Sequence, residues 1–210
     1  MKTKLMACIF TVVIFCAFST VTMANPIPFD GEKVFVTHAG YPGNVGGGIF
    51  MVQDSGHNNL FETFCLEIGV VLNSPPYIVE LGTSAKPLGI TLTPQEAYLY
   101  YNFREGTIPG YVNNTADVDG LQFAFWILEG LVKGVPGPDV SLFGAQTADY
   151  LAFANSTTWT DIGRVRVLNL INTRGAYTQA MLTLVPEPMT LLLLGFGLLG
   201  LGITRRKLKK

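Results

Sequence analysis

Apolar residues fall along this chain in two regimes. Long apolar runs occupy both ends, Leu5 to Phe18 and Met189 to Ile203, while between them apolar positions recur at strand and helix periods. Lys33 to Thr37 and Gly48 to Val52 read as short strands. Leu60 to Val71 reads as a longer one, with Phe61, Thr63, Cys65 and Glu67 on one face and Glu62, Phe64, Leu66 and Ile68 on the other. Both faces are mixed, so neither is cleanly the core. Thr93-Pro94-Gln95-Glu96 supplies an N-cap, a proline at the first helical position and a glutamate that reaches back, a capping box opening a helix from Pro94 to Arg104 that Gly106 ends. A second helix is expected from Asp117 to Glu129, stopped by Gly130. It is apolar nearly all round, which predicts burial on several sides and a Gln122 amide that needs partners. A third helix, Gln146 to Phe153, and two late strands, Arg164 to Leu170 and Tyr177 to Val185, complete the pattern. Strands, then helices, then strands predict an α+β fold: an antiparallel, sandwich-like sheet body with a helical insertion.

The two ends read as addresses. Residues 1–24 begin with Lys2 and Lys4, continue as the first apolar run and reach Thr22-Met23-Ala24, the pattern of a cleaved export signal peptide. At the other end Val185-Pro186-Glu187-Pro188 precedes the apolar run 189–203, expected to be a transmembrane helix, and a basic tail in 204–210. That run falls short of the ~20 residues of an ordinary spanning helix, so it would need the flanking Arg and Lys to snorkel or the bilayer to thin. The exported body is then residues 25–184. Net charge is −1, but seven of the fourteen cations sit at the extremes, and residues 25–184 hold seven Lys or Arg against fourteen Asp or Glu. An acidic body argues against nucleic acid as a partner.

Cysteine counting singles out one residue. Cys8 and Cys16 fall within the signal, which leaves Cys65 alone in the body and without an internal disulfide partner. His38 and His57 are the only histidines, so no zinc constellation exists, no cofactor is implied, and no enzyme class is supported. Gly46-Gly47-Gly48 lacks the Lys-Ser or Lys-Thr of a phosphate loop and reads as a flexible turn or bulge. Asp117, Asp119 and Gly120 look like a fragment of a calcium loop, yet a helix-capping turn accounts for them as well. Asn113-Asn114-Thr115 and Asn155-Ser156-Thr157 read as turns.

The tail of Pro186-Glu187-Pro188, apolar stretch and basic cluster resembles the PEP-CTERM sorting signal of Gram-negative bacteria. The resemblance implies a body exported to the periplasm and held at the inner membrane by the C-terminal helix. An exosortase-type protease would then cut near the motif and release the body to the cell surface or extracellular matrix, in bacteria that make exopolysaccharide and biofilm.

A second resemblance covers the body. Phe64-Cys65-Leu66-Glu67, then Leu121-Gln122-Phe123-Ala124-Phe125-Trp126, then Thr178-Gln179-Ala180-Met181-Leu182 are similar to the three successive motifs of bacterial surface thioester domains. The resemblance implies a thioester between Cys65 and Gln179, with Gln122 and Trp126 as supporting residues of the site. Leu121, where that family has threonine, and Thr178 and Ala180 around the glutamine depart from its pattern. The implied function is adhesin-like attachment to amine or hydroxyl groups on a surface or matrix partner. The alternative is a non-covalent structural component of a polysaccharide or biofilm matrix.

Overall fold

A computed structural model gives the fold and describes residues 28–42, 47–73, 75–131 and 144–186. The expected signal peptide, the tail helix over 189–203 and the basic cluster lie outside these residues. Among the described residues no helix is long and apolar enough to cross a membrane.

The chain runs β1 (Lys33–Pro42), β2 (Gly48–Gln53), β3 (Asn59–Thr63), β4 (Tyr77–Gly82), β5 (Ser84–Ala85), β6 (Ile90–Thr91), α1 (Pro94–Glu105), α2 (Thr115–Leu128), α3 (Ala145–Asn155), β7 (Val165–Ile171) and β8 (Tyr177–Leu184). Six strands form one antiparallel sheet in the order β3-β2-β1-β4-β7-β8, and β5 pairs with β6 as a separate ribbon. The two edge strands then meet. Just past β3, Cys65 bridges Met181 of β8, Leu66 N–H donates to Ala180 O at 3.0 Å, and Leu182 N–H donates to Phe64 O at 3.3 Å. The seam is reinforced by the Thr63 hydroxyl, which donates to Leu182 O at 2.6 Å and accepts from Leu182 N–H at 3.1 Å. The sheet therefore closes on itself, and the sandwich-like body expected from the strand pattern is a closed barrel-like sheet instead. Closure satisfies edge groups that would otherwise stay unpaired.

The interior carries residues from all six strands, among them Val34, Phe50, Phe61, Val79, Leu168 and Met181, together with Cys65. The outer face around the seam is covered by the helices: Phe64, Leu66, Val165, Ala180 and Leu182 pack with Ala97, Leu121, Ala124 and Phe125. This resolves the mixed faces of the segment expected to be one strand from Leu60 to Val71. Its Phe61 and Cys65 face the interior and its Phe64 and Leu66 face the helices, so both sides are core. The strand itself ends earlier than expected, and Val71 is exposed.

The helices follow their signals. Thr93 and Glu96 form the capping box at α1, and Gly106 closes it at φ 66°, a left-handed position where glycine carries no Cβ penalty. α2 starts two residues earlier than expected because Asn114 caps it, accepting from Asp117 N–H at 2.9 Å. The Asp117 carboxylate accepts from Val112 N–H and Tyr150 Oη, both at 2.9 Å, which makes it a structural joint between α2 and α3 and corrects the calcium-loop resemblance.

Candidate functional site

Closure at the seam sets the site. Cys65 lies opposite Met181, and Gln179 stands two residues from Met181 on β8, which puts Cys65 and Gln179 on the same barrel-facing side as diagonal neighbours. Such positions lie about 7–8 Å apart at Cα, somewhat less at Cβ. Cys65 is 0% exposed and Gln179 4%. The sulfur's immediate partner is a different glutamine. The Cys65 thiol donates to Gln122 Oε1 at 3.2 Å, Gln122 Nε2 donates back to Cys65 O at 2.8 Å, and Gly48 N–H donates to Gln122 Oε1 at 3.2 Å. The Gln179 amide donates to Glu67 O at 2.6 Å. The four residues singled out by sequence are thus gathered in one buried neighbourhood, with Trp126 one turn beyond Gln122 on α2 and in the barrel core with Cys65.

Gly47, in the run expected to form a flexible turn or bulge, also has a packing role beside the site. A Cβ at Gly47 would stand 2.7 Å from Gln122 Cγ and 2.9 Å from its Oε1, closer than real side chains come. Only glycine lets the β1–β2 connection press its backbone against the Gln122 amide, and that approach is what brings Gly48 N–H to its oxygen.

Burial pushes the Cys65 thiol well above its usual range, and the Glu129 carboxyl adds to the rise. The Cys65 backbone N–H and the Trp126 indole act the other way. The indole N–H is buried and has no hydrogen bond of good geometry among the described residues, so it is a donor able to serve a sulfur anion. The resting sulfur is a protonated thiol. It becomes a nucleophile only as its proton leaves.

Sequence reading missed a set of carboxyl groups around this core. Glu67 Oε1 accepts from Leu88 N–H at 2.8 Å and its Oε2 from Ala180 N–H at 3.1 Å, tying the seam to the β5–β6 ribbon, while burial raises its pKa. Glu96 spends Oε2 on the Thr93 cap, and its Oε1 faces Glu129 with no donor in reach among the described residues. Burial, then the charge of Glu96, pushes Glu129 up to about 10. Glu129 caps the C-terminus of α2, where the helix dipole also disfavours a negative charge. Both groups are accounted for by one shared proton, with the Glu129 carboxylic acid donating to the Glu96 carboxylate. The capping signal revealed Glu96, but nothing local announces that its second oxygen meets another acid.

A cavity of about 360 Å³ adjoins the seam, walled by His38, Phe50, Glu67, Val71, Trp126 and Gln179. It gives the buried Gln179 side a route to solvent past the exposed Ile68 and Val71. Among the described residues no group of three or more His, Cys, Asp and Glu side chains is placed to hold a metal ion.

Comparison with known proteins concerns the tail. Residues 184–207 match the family described as the PEP-CTERM protein-sorting motif. The chain therefore carries the sorting motif of an exosortase substrate, which implies export and sorting to the cell surface. No curated protein and no solved structure matches the chain.

Proposed function

We propose that this is an exported surface or matrix protein whose body attaches to its partner covalently, through a thioester between Cys65 and Gln179. On this reading residues 1–24 direct export and 25–184 form the working body. Residues 185–210 hold it at the inner membrane until an exosortase-type protease acts near Pro186-Glu187-Pro188. The observation that carries the chemical part is the seam register, which puts a solitary buried cysteine and a buried glutamine on one face as diagonal neighbours. In bond formation the thiol proton leaves, sulfur attacks the Gln179 amide carbon, the C–N bond breaks, and nitrogen departs with the proton as ammonia. Gln122, held between Gly48 and Cys65, fixes the position of the sulfur, and the Trp126 indole N–H faces the charge that develops on it. An amine or hydroxyl on a partner then takes the stored acyl group and regenerates the thiol.

The intact mass of the processed protein tests this. A mass short by one ammonia, converted to an adduct by methylamine and absent from Cys65→Ala, is the expected result; full mass with an alkylatable Cys65 refutes it.

A second reading is favoured by one observation: both reacting groups are engaged elsewhere, the thiol with Gln122 and the Gln179 amide with Glu67 O. Here the body is a non-covalent component of an extracellular polysaccharide or biofilm matrix. It requires that Cys65→Ala leave cell attachment and matrix formation unchanged while removal of 185–210 mislocalises the protein.

A further inference from the structure

Away from the seam, a groove of about 440 Å³ lies between β3 and the C-terminal turn of α1, lined by Asn59, Phe61, Glu62, Phe103, Arg104 and Tyr111. Its arginine is held in place, and among the described residues neither of its two charged groups is ion-paired. The Arg104 guanidinium lies 4.9 Å from the Phe61 ring centroid, and its Nη1 donates to Tyr100 Oη at 3.2 Å. Tyr100 Oη in turn donates to Glu62 O at 3.2 Å, fixing α1 to β3 at that point. Neither Arg104 nor the Glu62 carboxylate has an ion-pair partner among the described residues, each other included. A stacked, anchored guanidinium has already lost most of its rotamer freedom, so its remaining N–H donors are available to a ligand at small entropic cost.

We propose that this groove is a saccharide-binding site, in which the hydroxyls of a neutral sugar bridge the Arg104 guanidinium and the Glu62 carboxylate. The chemistry selects the occupant. Guanidinium only donates and carboxylate only accepts, whereas a hydroxyl does both and satisfies the two together. One positive and one negative charge offset each other, so the groove offers no net attraction to an anionic or cationic polymer. Asn59 spends its Oδ1 on Gln53 Nε2 at 2.9 Å, which leaves its amide hydrogens as further donors. The Phe103 and Tyr111 rings meet edge to face at 87° with centroids 5.7 Å apart and provide an apolar wall for the C–H face of a pyranose. The volume lies in the range of small-ligand sites. This inference goes beyond both readings above and does not depend on the Cys65–Gln179 bond; it gives the matrix reading a physical contact point.

The test uses the full chain in detergent, titrated by saturation-transfer NMR and calorimetry with cellohexaose, laminarihexaose and maltohexaose. Hexagalacturonate and a zwitterionic hexapeptide serve as competitors of other classes. Expected are saturable binding of at least one neutral hexasaccharide, and tenfold or greater weakening in both Arg104→Lys and Glu62→Gln, with thermal melting showing each variant folded. Arg104→Lys keeps the charge and removes the planar fork, so it separates recognition from simple electrostatics. The proposal is overturned if none of the three neutral sugars binds, if hexagalacturonate or the peptide binds more tightly than they do, or if folded variants bind as the parent does. Intact mass read on the same samples reports the Cys65–Gln179 bond separately, so failure of one idea is not mistaken for failure of the other.

Discussion

Replacing Glu129 by Gln should make the protein more stable at neutral and alkaline pH, not less. Glu129 ends α2 with both carboxyl oxygens buried and without donors among the described residues, facing Glu96 Oε1, which also lacks one there. If the two acids share a proton, the folded protein retains it up to about pH 10, whereas an unfolded glutamic acid releases it near 4.5. The native state then binds one more proton than the unfolded state throughout that window. Stability from this group is fully present below pH 4.5, falls as pH rises, and is gone above about 10. One proton corresponds to a tenfold change in the unfolding equilibrium per pH unit, about 1.4 kcal/mol. Glutamine keeps the shape, donates an amide N–H to Glu96 and does not titrate. The stability difference between Glu129→Gln and the parent should therefore widen with pH, by at most roughly 3 kcal/mol between pH 6 and pH 8. Urea unfolding of the processed protein at unit pH steps measures it, and titrations common to both proteins cancel in the difference. Two parallel stability curves would refute the shared proton and leave the orphaned oxygens without an explanation.

The remaining predictions follow the same contacts. Gly47→Ala drives a methyl into Gln122, and overpacking of this kind costs about 1–3 kcal/mol; denaturant midpoints and faster alkylation of Cys65 would register the displaced amide. Thr63→Val keeps the volume but removes both seam bonds to Leu182, so a loss of about 1–3 kcal/mol is expected, with amide exchange of Leu182 and Leu66 rising before the rest of the sheet. Gln122→Leu leaves Gly48 N–H and Cys65 O unpaired and should destabilise the fold by a similar amount while slowing any loss of ammonia seen by mass. Deleting 185–210 removes the sorting motif matched at 184–207, and cell fractionation should then find the body retained or released away from the surface.

What could be read from the chain was what local chemistry encodes. The capping box at Thr93, the stop at Gly106 and the burial of a helix apolar all round at Leu121 to Leu128 each depend on residues within a few positions of one another. β4 escaped notice. Asn73-Ser74-Pro75-Pro76 and Gly82 do frame its run Tyr77 to Leu81, but so short a run does not show locally that both Tyr77 and Val79 face an interior shared with five other strands. Barrel closure was illegible for the same reason: no feature of residues 64–66 says that they will meet residues 180–182. The mixed faces of the Leu60 segment were in fact the signal, since a strand with core on both sides has no polar face to give up. Gathering Cys65, Gln122 and Gln179 followed from motif resemblance, but the partners of each amide, and the carboxyl groups around them, come from tertiary packing.

The position of the candidate bond at the seam links the chemistry to the fold. The groups around Cys65 also belong to the seam: Gln122 binds its backbone carbonyl, and Glu67 fixes the N–H of Ala180, the neighbour of the Met181 that lies opposite Cys65. A chain not yet closed presents Cys65 and Gln179 as residues more than a hundred positions apart, with the entropy of a long loop separating them. Once residues 63–66 have paired with β8, the same two residues are neighbours in a buried site beside the cavity. Any acyl transfer between them is therefore a late folding event, and a bond formed there would in turn lock the seam. Refolding the protein from urea in the presence of a thiol-alkylating reagent separates the two orders. Cys65 should be modified fully when the reagent is present from the start, and escape when it is added after the sheet has closed. Equal modification in both cases would mean that closure does not protect the sulfur, and the dependence of the site on the seam would be wrong.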